Sequence, residues 1–388
     1  MSQHDDKNVC TDDDLHTLYF LSIKIFEHKL FVVMNSVFLA VYATALLANT
    51  YFFFKEFNTE FFNQYISVYM GVLASVIIYA TLLWKQPILK KFEEFCRPLA
   101  FQRINTTKKT NKRIKKESKH IVRFIKFHLT FVLISACILI PVGRQRKFQF
   151  IIIFFHDYCH LYVFEALYLL SYPITGYMFV RLAYALLYFV SHLKFQVYKI
   201  LDIMEQVSVE YDYQSDNELL ECDEYQKIVK ARLLLVITKL TQLARIADLA
   251  SMITAQLLPP FTISAVLMGL SIMNLFFIRN ILGYWSYLQV FLWSIGSAST
   301  LIMYAHCGQE FENNTEKVFD AIYNTRWTSF NKSNRKTILT TMIIFQEPKS
   351  LRFTDALSCN YELGVRISKA IYSFAAIMAR LSNSQEIR

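Results

Sequence analysis

The chain has 388 residues, 54% of them hydrophobic, and the apolar residues gather in long unbroken runs that a soluble core does not need, so the fold class is an all-α polytopic membrane protein. Those runs are rich in Phe, Tyr, Leu and Ile, which excludes the weakly alternating pattern of a membrane β-barrel. The net charge of +10 sits mainly in one loop between two apolar spans, which marks a cytosolic loop and excludes nucleic acid as a partner.

The opening segment, MSQHDDKNVCTDDDLH, is acidic and has no basic region followed by an apolar core. It reads as a cytosolic segment (1–29) without a cleavable signal peptide, leaving the first span to act as the insertion signal. Six spans follow, over 30–54, 65–84, 124–142, 161–190, 250–278 and 284–305, each long enough to cross a bilayer. Together with their cytosolic ends they form the unit 30–305. Residues 306–346 read as cytosolic anchor helices, and 347–388 as a final helix with a short extracellular tail. The break between these last two units falls at Glu347–Pro348, because proline disfavours helix at the residue before it.

Lys and Arg set the expected orientation. The even loops (85–119, 194–245 and 317–336) hold 24 of them, and the odd loops hold five. The positive-inside rule then puts the N-terminus inside and the C-terminus outside. The three glycosylation sequons, at Asn105, Asn313 and Asn331, all fall on inside loops. Seven Cys lack CxxC spacing, so no disulfide framework is implied. In the fourth loop, Ile228, Leu233, Val236, Leu240, Leu243 and Ala247 recur at helical spacing, so the fifth span is predicted to extend into the cytosol. Residues 316–328 show the same period, and the acidic insert 210–224 reads as disordered.

A few residues stand apart from this pattern. HDYCH (156–160) has metal-like spacing but no second cluster, so no metal site is assigned. Glu165 is expected near the interface and solvated. Arg181, in mid-span, is expected to face protein or to snorkel inward. Pro259–Pro260 is expected to kink the fifth span. No catalytic constellation and no cofactor motif is present, so the chain is not read as an enzyme.

The C-terminal third carries a resemblance. YAHCGQEFENNTEKVFDAIYNTRW (304–327) resembles the insect odorant receptor pattern, through Cys307, Gly308, Ala321, Tyr323 and Trp327. Gln346 and Pro348 match its Gln-x-Pro break. Ala370, Tyr372, Ser373 and Phe374 match its terminal Ala-x-Tyr-Ser-Phe block. The Asp-Arg-Tyr and Asn-Pro-x-x-Tyr signatures of G-protein-coupled receptors are absent, as is the Thr-Tyr…Gln-Phe ending of gustatory receptors. An inverted G-protein-coupled chemoreceptor, a gustatory-type channel and a transporter are the alternatives.

The resemblance implies an odorant-gated, non-selective cation channel in the plasma membrane of olfactory sensory neurons. It implies a heterotetramer with an odorant co-receptor subunit, a pore lined by the last helix, and a small volatile apolar odorant as ligand. By position it places Ala376, Ala379 and Arg380 at the pore and Tyr323 and Trp327 in the subunit anchor. It puts the odorant in the outer half of spans two, three, four and six. Those halves hold Tyr65, Val68, Tyr69 and Val72; Ile134, Ala136, Ile138 and Leu139; Phe164, Tyr168, Ser171 and Tyr172; and Tyr284, Tyr287, Leu288 and Phe291. Such a site should be apolar and aromatic with few polar groups.

Overall fold

The computed structural model describes residues 15–55, 59–88, 91, 94, 106–141, 162–209, 215–277, 284–354 and 357–386. It begins with a short helix α1 (His16–Ser22) and a 3-10 turn (Lys24–Glu27). Then come α2 (Lys29–Lys55), α3 (Thr59–Trp84), α4 (Lys108–Ile138) and α5 (Tyr162–Val209). A one-turn helix α6 (Asp216–Glu221) leads into α7 (Asp223–Phe277) and α8 (Tyr284–Tyr323). The chain closes with α9 (Lys332–Phe345), a small antiparallel hairpin of β1 (Arg352–Thr354) and β2 (Leu357–Ser358), and α10 (Tyr361–Glu386).

Among the described residues, six helices are long and apolar enough to cross a membrane, and each overlaps one predicted span. Four of them run far past a bilayer at the Lys/Arg-rich end. The 55 residues of α7 reach about 80 Å, against a hydrocarbon core of about 30 Å. Its Leu233, Val236, Leu240, Leu243 and Ala247 are all buried, so the predicted extension is a packed helix. Pro259 and Pro260 lie inside α7, which continues through them.

The basic segment before span three is also helical. Thr107 caps α4, and Asp202 of α5 fixes that cap. The Thr107 amide and hydroxyl each donate to the Asp202 carboxylate at 2.7 Å, and the Thr110 hydroxyl donates to it at 2.9 Å. A carboxylate at a helix N-terminus satisfies amides that have no partner within the helix.

The acidic insert is ordered from Ser215 onward, contrary to the disorder its composition suggests. Ser215 and Glu218 form a capping box on α6. Asp216 then accepts from the Arg326 guanidinium at 2.6 Å and the Thr328 hydroxyl at 2.7 Å, docking α6 on the 3-10 turn Trp327–Ser329. Local capping plus one charged contact outweighs the composition.

At the centre lies α5, which packs against α8, α4, α7 and α1. Tyr184, Tyr188 and Phe189 are fully buried there. Arg181 is also buried, so it faces protein and not lipid. Its Nε donates to the Ser22 carbonyl at 3.1 Å, and the Tyr177 hydroxyl donates to the Leu21 carbonyl. Both side chains thus serve the carbonyls at the end of α1, which lack partners within that helix. Glu165 is buried, against the solvated position expected for it.

The predicted break after Gln346 is present, with Gln346 as the C-cap of α9. The final helix runs from Tyr361 to Glu386, and the hairpin fills the stretch between it and the break. Its 26 residues cover about 39 Å, enough to span despite its short apolar run. Gly308 makes the hairpin's seat. A Cβ there would overlap the Cys359 carbonyl oxygen, so only glycine lets the hairpin reach α8.

Candidate functional site

A cavity of about 370 Å³ runs from α4 and α5, between α7 and α8, to α10. Helical periodicity builds its walls. On α7, Leu258, Phe261, Thr262, Ala265, Met268 and Gly269 recur at three- and four-residue steps. The facing stretch of α8, from Trp293 to Leu301, supplies small residues such as Gly296, Ser297 and Ala298, which leave room between the helices. Val132 and Ser135 of α4 and Gly176 and Phe179 of α5 close one end. Ile367, Ser368, Ile371 and Tyr372 of α10 close the other.

The lining is mostly apolar with scattered hydroxyls. Ser135, Ser294, Thr300 and Ser368 donate to carbonyls one turn back on their own helices, at 2.7 to 2.9 Å. Their lone pairs stay open to a donor. Thr262 and Ser297 make no side-chain hydrogen bond among the described residues, so their protons are open to an acceptor oxygen. Such a site suits a small apolar molecule bearing one or two oxygens. The α10 end is tight: a Cβ on Gly269 would meet Ile371 Cδ1 at 2.8 Å. The Gly269 notch therefore brings α7 and α10 into direct contact beside the cavity.

None of the residues expected from sequence to bind the ligand lines this cavity. Val72, Ala136, Tyr168 and Ser171 are buried, and the last two belong to a hydroxyl cluster between α2, α3 and α5. There Tyr42 meets Ser171 at 2.8 Å and Thr175 at 3.1 Å, and Tyr79 meets Thr175 at 3.0 Å. Tyr172 donates to Tyr168 at 3.4 Å. Tyr65, Val68 and Tyr69 are half-buried, the last stacked on Phe53 at 5.9 Å. Ile138, Leu139, Phe164 and Tyr287 are half-buried as well.

Ile134, Tyr284, Leu288 and Phe291 face outward, Tyr284 at 97% exposure and Phe291 at 56%. The inward face of α8 is instead Gln289, Val290 and Trp293; Gln289 donates to the Ile138 carbonyl at 2.5 Å. Aromatic residues suit lipid as well as ligand, so aromatic spacing alone selected the outer face of α8. The run of small residues from Ser294 to Thr300 is the sequence signal that marks the cavity. On α5 and α8 the cavity lies deeper than the expected residues, and on α4 its Ser135 falls between Ile134 and Ala136.

A family model described as 7tm Odorant receptor matches residues 58–372. The chain belongs to this odorant receptor family. Among solved structures, the insect olfactory receptor OR5 from Machilis hrabei is similar, with a TM-score of 0.62 at 10% identity, covering 90% of this chain and 87% of that one. The same receptor in complex with eugenol gives 0.62 at 9% identity over the same shares. No curated protein matches the chain in sequence. The receptor is a multi-pass membrane protein and not an enzyme.

The remaining expected positions of the receptor lie at its C-terminal third. Ala376 is half-buried on α10, while the side chains of Ala379 and Arg380 lie outside the described residues. Tyr323 is exposed and stacks on Phe319, with ring centroids 6.5 Å apart, and Trp327 is half-buried. HDYCH and Asn105 also fall outside the described residues. Asn331 caps α9, accepting from the Asn334 amide at 2.9 Å, which accounts for that asparagine structurally.

Proposed function

We propose that the receptor is the odorant-tuning subunit of an odorant-gated, non-selective cation channel. It sits in the plasma membrane of olfactory sensory neurons with its N-terminus inside, and assembles with an odorant co-receptor as a heterotetramer. The observation that carries this reading is the cavity's reach: one apolar chamber touches α4, α5 and α8 at one end and α10 at the other. The odorant occupies the α4–α5–α8 end, against Val132, Ser135, Gly176, Phe179, Trp293 and Ser297. Its presence shifts α10 through Ile371 in the Gly269 notch, and so shifts the population of open pores.

Tyr361, Val365, Tyr372 and Ile377 on α10 are exposed and apolar, which suits a helix completed by neighbouring subunits. Ala376 and Ala379 offer little bulk for a dewetting seal, so co-receptor chains supply the seal. Exposed Tyr323 and the adjoining Trp327 suit the subunit anchor. The OR5–eugenol complex supports a small, oxygen-bearing volatile as the ligand class. The test is odour-evoked current in cells lacking G-protein signalling. We expect current when the co-receptor is co-expressed and none without it. No current with the co-receptor, or full current without it, would overturn the reading.

A further inference from the structure

Between Lys108 and Lys126, α4 carries nine Lys and Arg, all exposed, and a single acid, Glu117. Glu117 turns to the protein and meets Lys194 of α5 at 3.3 Å. The opposite side of this stretch is buried through Ile114, Ser118 and Ile125. The cations therefore share one face. Lys116, Lys119, Arg123 and Lys126 follow one another at three- and four-residue steps and form a continuous stripe. The stripe does not stop at the membrane. Thr130, Ile134 and Cys137, all exposed, continue it at the same spacing, beside exposed Phe127. The side of α4 that faces lipid higher up is the side that carries the cations below.

We infer that this stripe is a binding surface for the headgroup of a phosphoinositide in the inner leaflet. Depth supports a lipid. From Phe127 to Ile138 the uncharged stretch of α4 covers about 18 Å of a hydrocarbon core of about 30 Å, so Lys126 and Arg123 start at the core's inner edge and their long side chains snorkel to headgroup level. Lys119 and Lys116 reach about 10 to 15 Å further from the bilayer. That is beyond a simple phosphodiester but within range of phosphates projecting on an inositol ring. Orientation by the positive-inside rule needs only an excess of charge near the span, not a single acid-free face. No other helical extension is as dense in cations: α7 carries five over the same length, from Lys227 to Arg245, α5 sets Asp202 and Glu205 against Lys194 and Lys199, and α8 carries Glu310, Glu312, Glu316 and Asp320 against Lys317. Clustered cations just inside a span attract anionic lipid.

The proposal rests on the inside placement of this end. The purified full-length chain in detergent would be titrated with dioleoyl phosphatidylinositol bisphosphate, dioleoyl phosphatidylcholine and soluble inositol trisphosphate, with native mass spectrometry as the readout. We expect the phosphoinositide to bind at least tenfold tighter than phosphatidylcholine and tenfold tighter than the soluble headgroup. The triple variant Lys119→Gln, Arg123→Gln, Lys126→Gln loses that preference at least tenfold. The charge-preserving variant Lys119→Arg, Arg123→Lys, Lys126→Arg keeps it. Equal binding of phosphatidylcholine, equal binding of the soluble headgroup, or an unaffected triple variant would overturn the proposal. If the triple variant does not fold, amine labelling of the wild-type chain decides: phosphoinositide, and not phosphatidylcholine, must shield Lys119 and Lys126. Detergent has no sidedness, so an error of orientation would leave this binding intact. It would appear instead as labelling of Lys119 from outside intact cells.

Discussion

Helices α5 and α10 cross the same membrane but are built in opposite ways. In α5 nearly every position from Tyr177 to Val190 is buried, and its polar groups are bonded within the protein. His128, for example, bridges Tyr184 of α5 at 2.8 Å and Ser299 of α8 at 2.9 Å. In α10 only Ile367 is buried among the described side chains, and Tyr372 is 71% exposed. One helix is complete within the subunit. The other is held by the Gly269 notch, the cavity wall and the hairpin, and leaves most of its surface for something else. Stability of the single chain therefore belongs to α5, while α10 offers the surface on which the proposed assembly and gating would act.

The most severe disruption should come where the hairpin before α10 seats on α8. Gly308→Ala places a Cβ on the Cys359 carbonyl. It should cost about 4 kcal/mol or more, because backbone would have to move, and folded receptor at the cell surface should fall to background. Phe189→Ala removes a fully buried ring from the α5 core. It should cost about 3–5 kcal/mol, read as a large drop in Tm of the detergent-solubilised chain. Val365→Ala on the exposed side of α10 should leave that Tm within the range of a surface substitution, about 0.5 kcal/mol. It should lower recovery of the co-receptor in pull-down. Equal destabilisation by Phe189→Ala and Val365→Ala would erase the distinction.

Smaller effects sharpen it. Gly269→Ala should fold but overpack the α7–α10 contact by about 1–3 kcal/mol. The expected readout is a shifted odorant dose–response at unchanged surface level. The smallest effect concerns α6. The Thr328 hydroxyl, then the Arg326 guanidinium, hold the Asp216 carboxyl below its ordinary value of 3.8. A depressed carboxylate contributes stability above its unfolded pKa and loses it as pH falls through the folded one. Hydrogen exchange across α6 should therefore quicken only below about pH 4. Asp216→Asn should show the quicker exchange at neutral pH and remove the pH dependence.

Much of this was legible in the sequence, for physical reasons that differ by element. Spans announce themselves by apolar length, and the extension of α7 by the spacing of Leu233, Val236, Leu240 and Leu243. Pro348 marked the end of α9. The hairpin was not legible, because its two short strands carry no alternation and its seat depends on Gly308, some forty residues earlier. The order of α6 depends on Arg326 and Thr328, which composition does not see. The cavity was not legible on α8, because aromatic spacing there fits lipid and ligand alike. The walls that α7 and α10 contribute depend on which helices become neighbours. Arg181 was readable as inward-facing, but its partner at Ser22 lies in a helix the sequence did not announce.

The central claim is that odorant sits in the α4–α5–α8 end of the cavity and acts on α10. Its most direct test is Ser297→Phe, which fills that end without touching α10, assayed as odour-evoked current with the co-receptor present. The account predicts normal surface expression, normal assembly and at least a tenfold loss of odorant sensitivity. An unchanged dose–response at normal expression would contradict it.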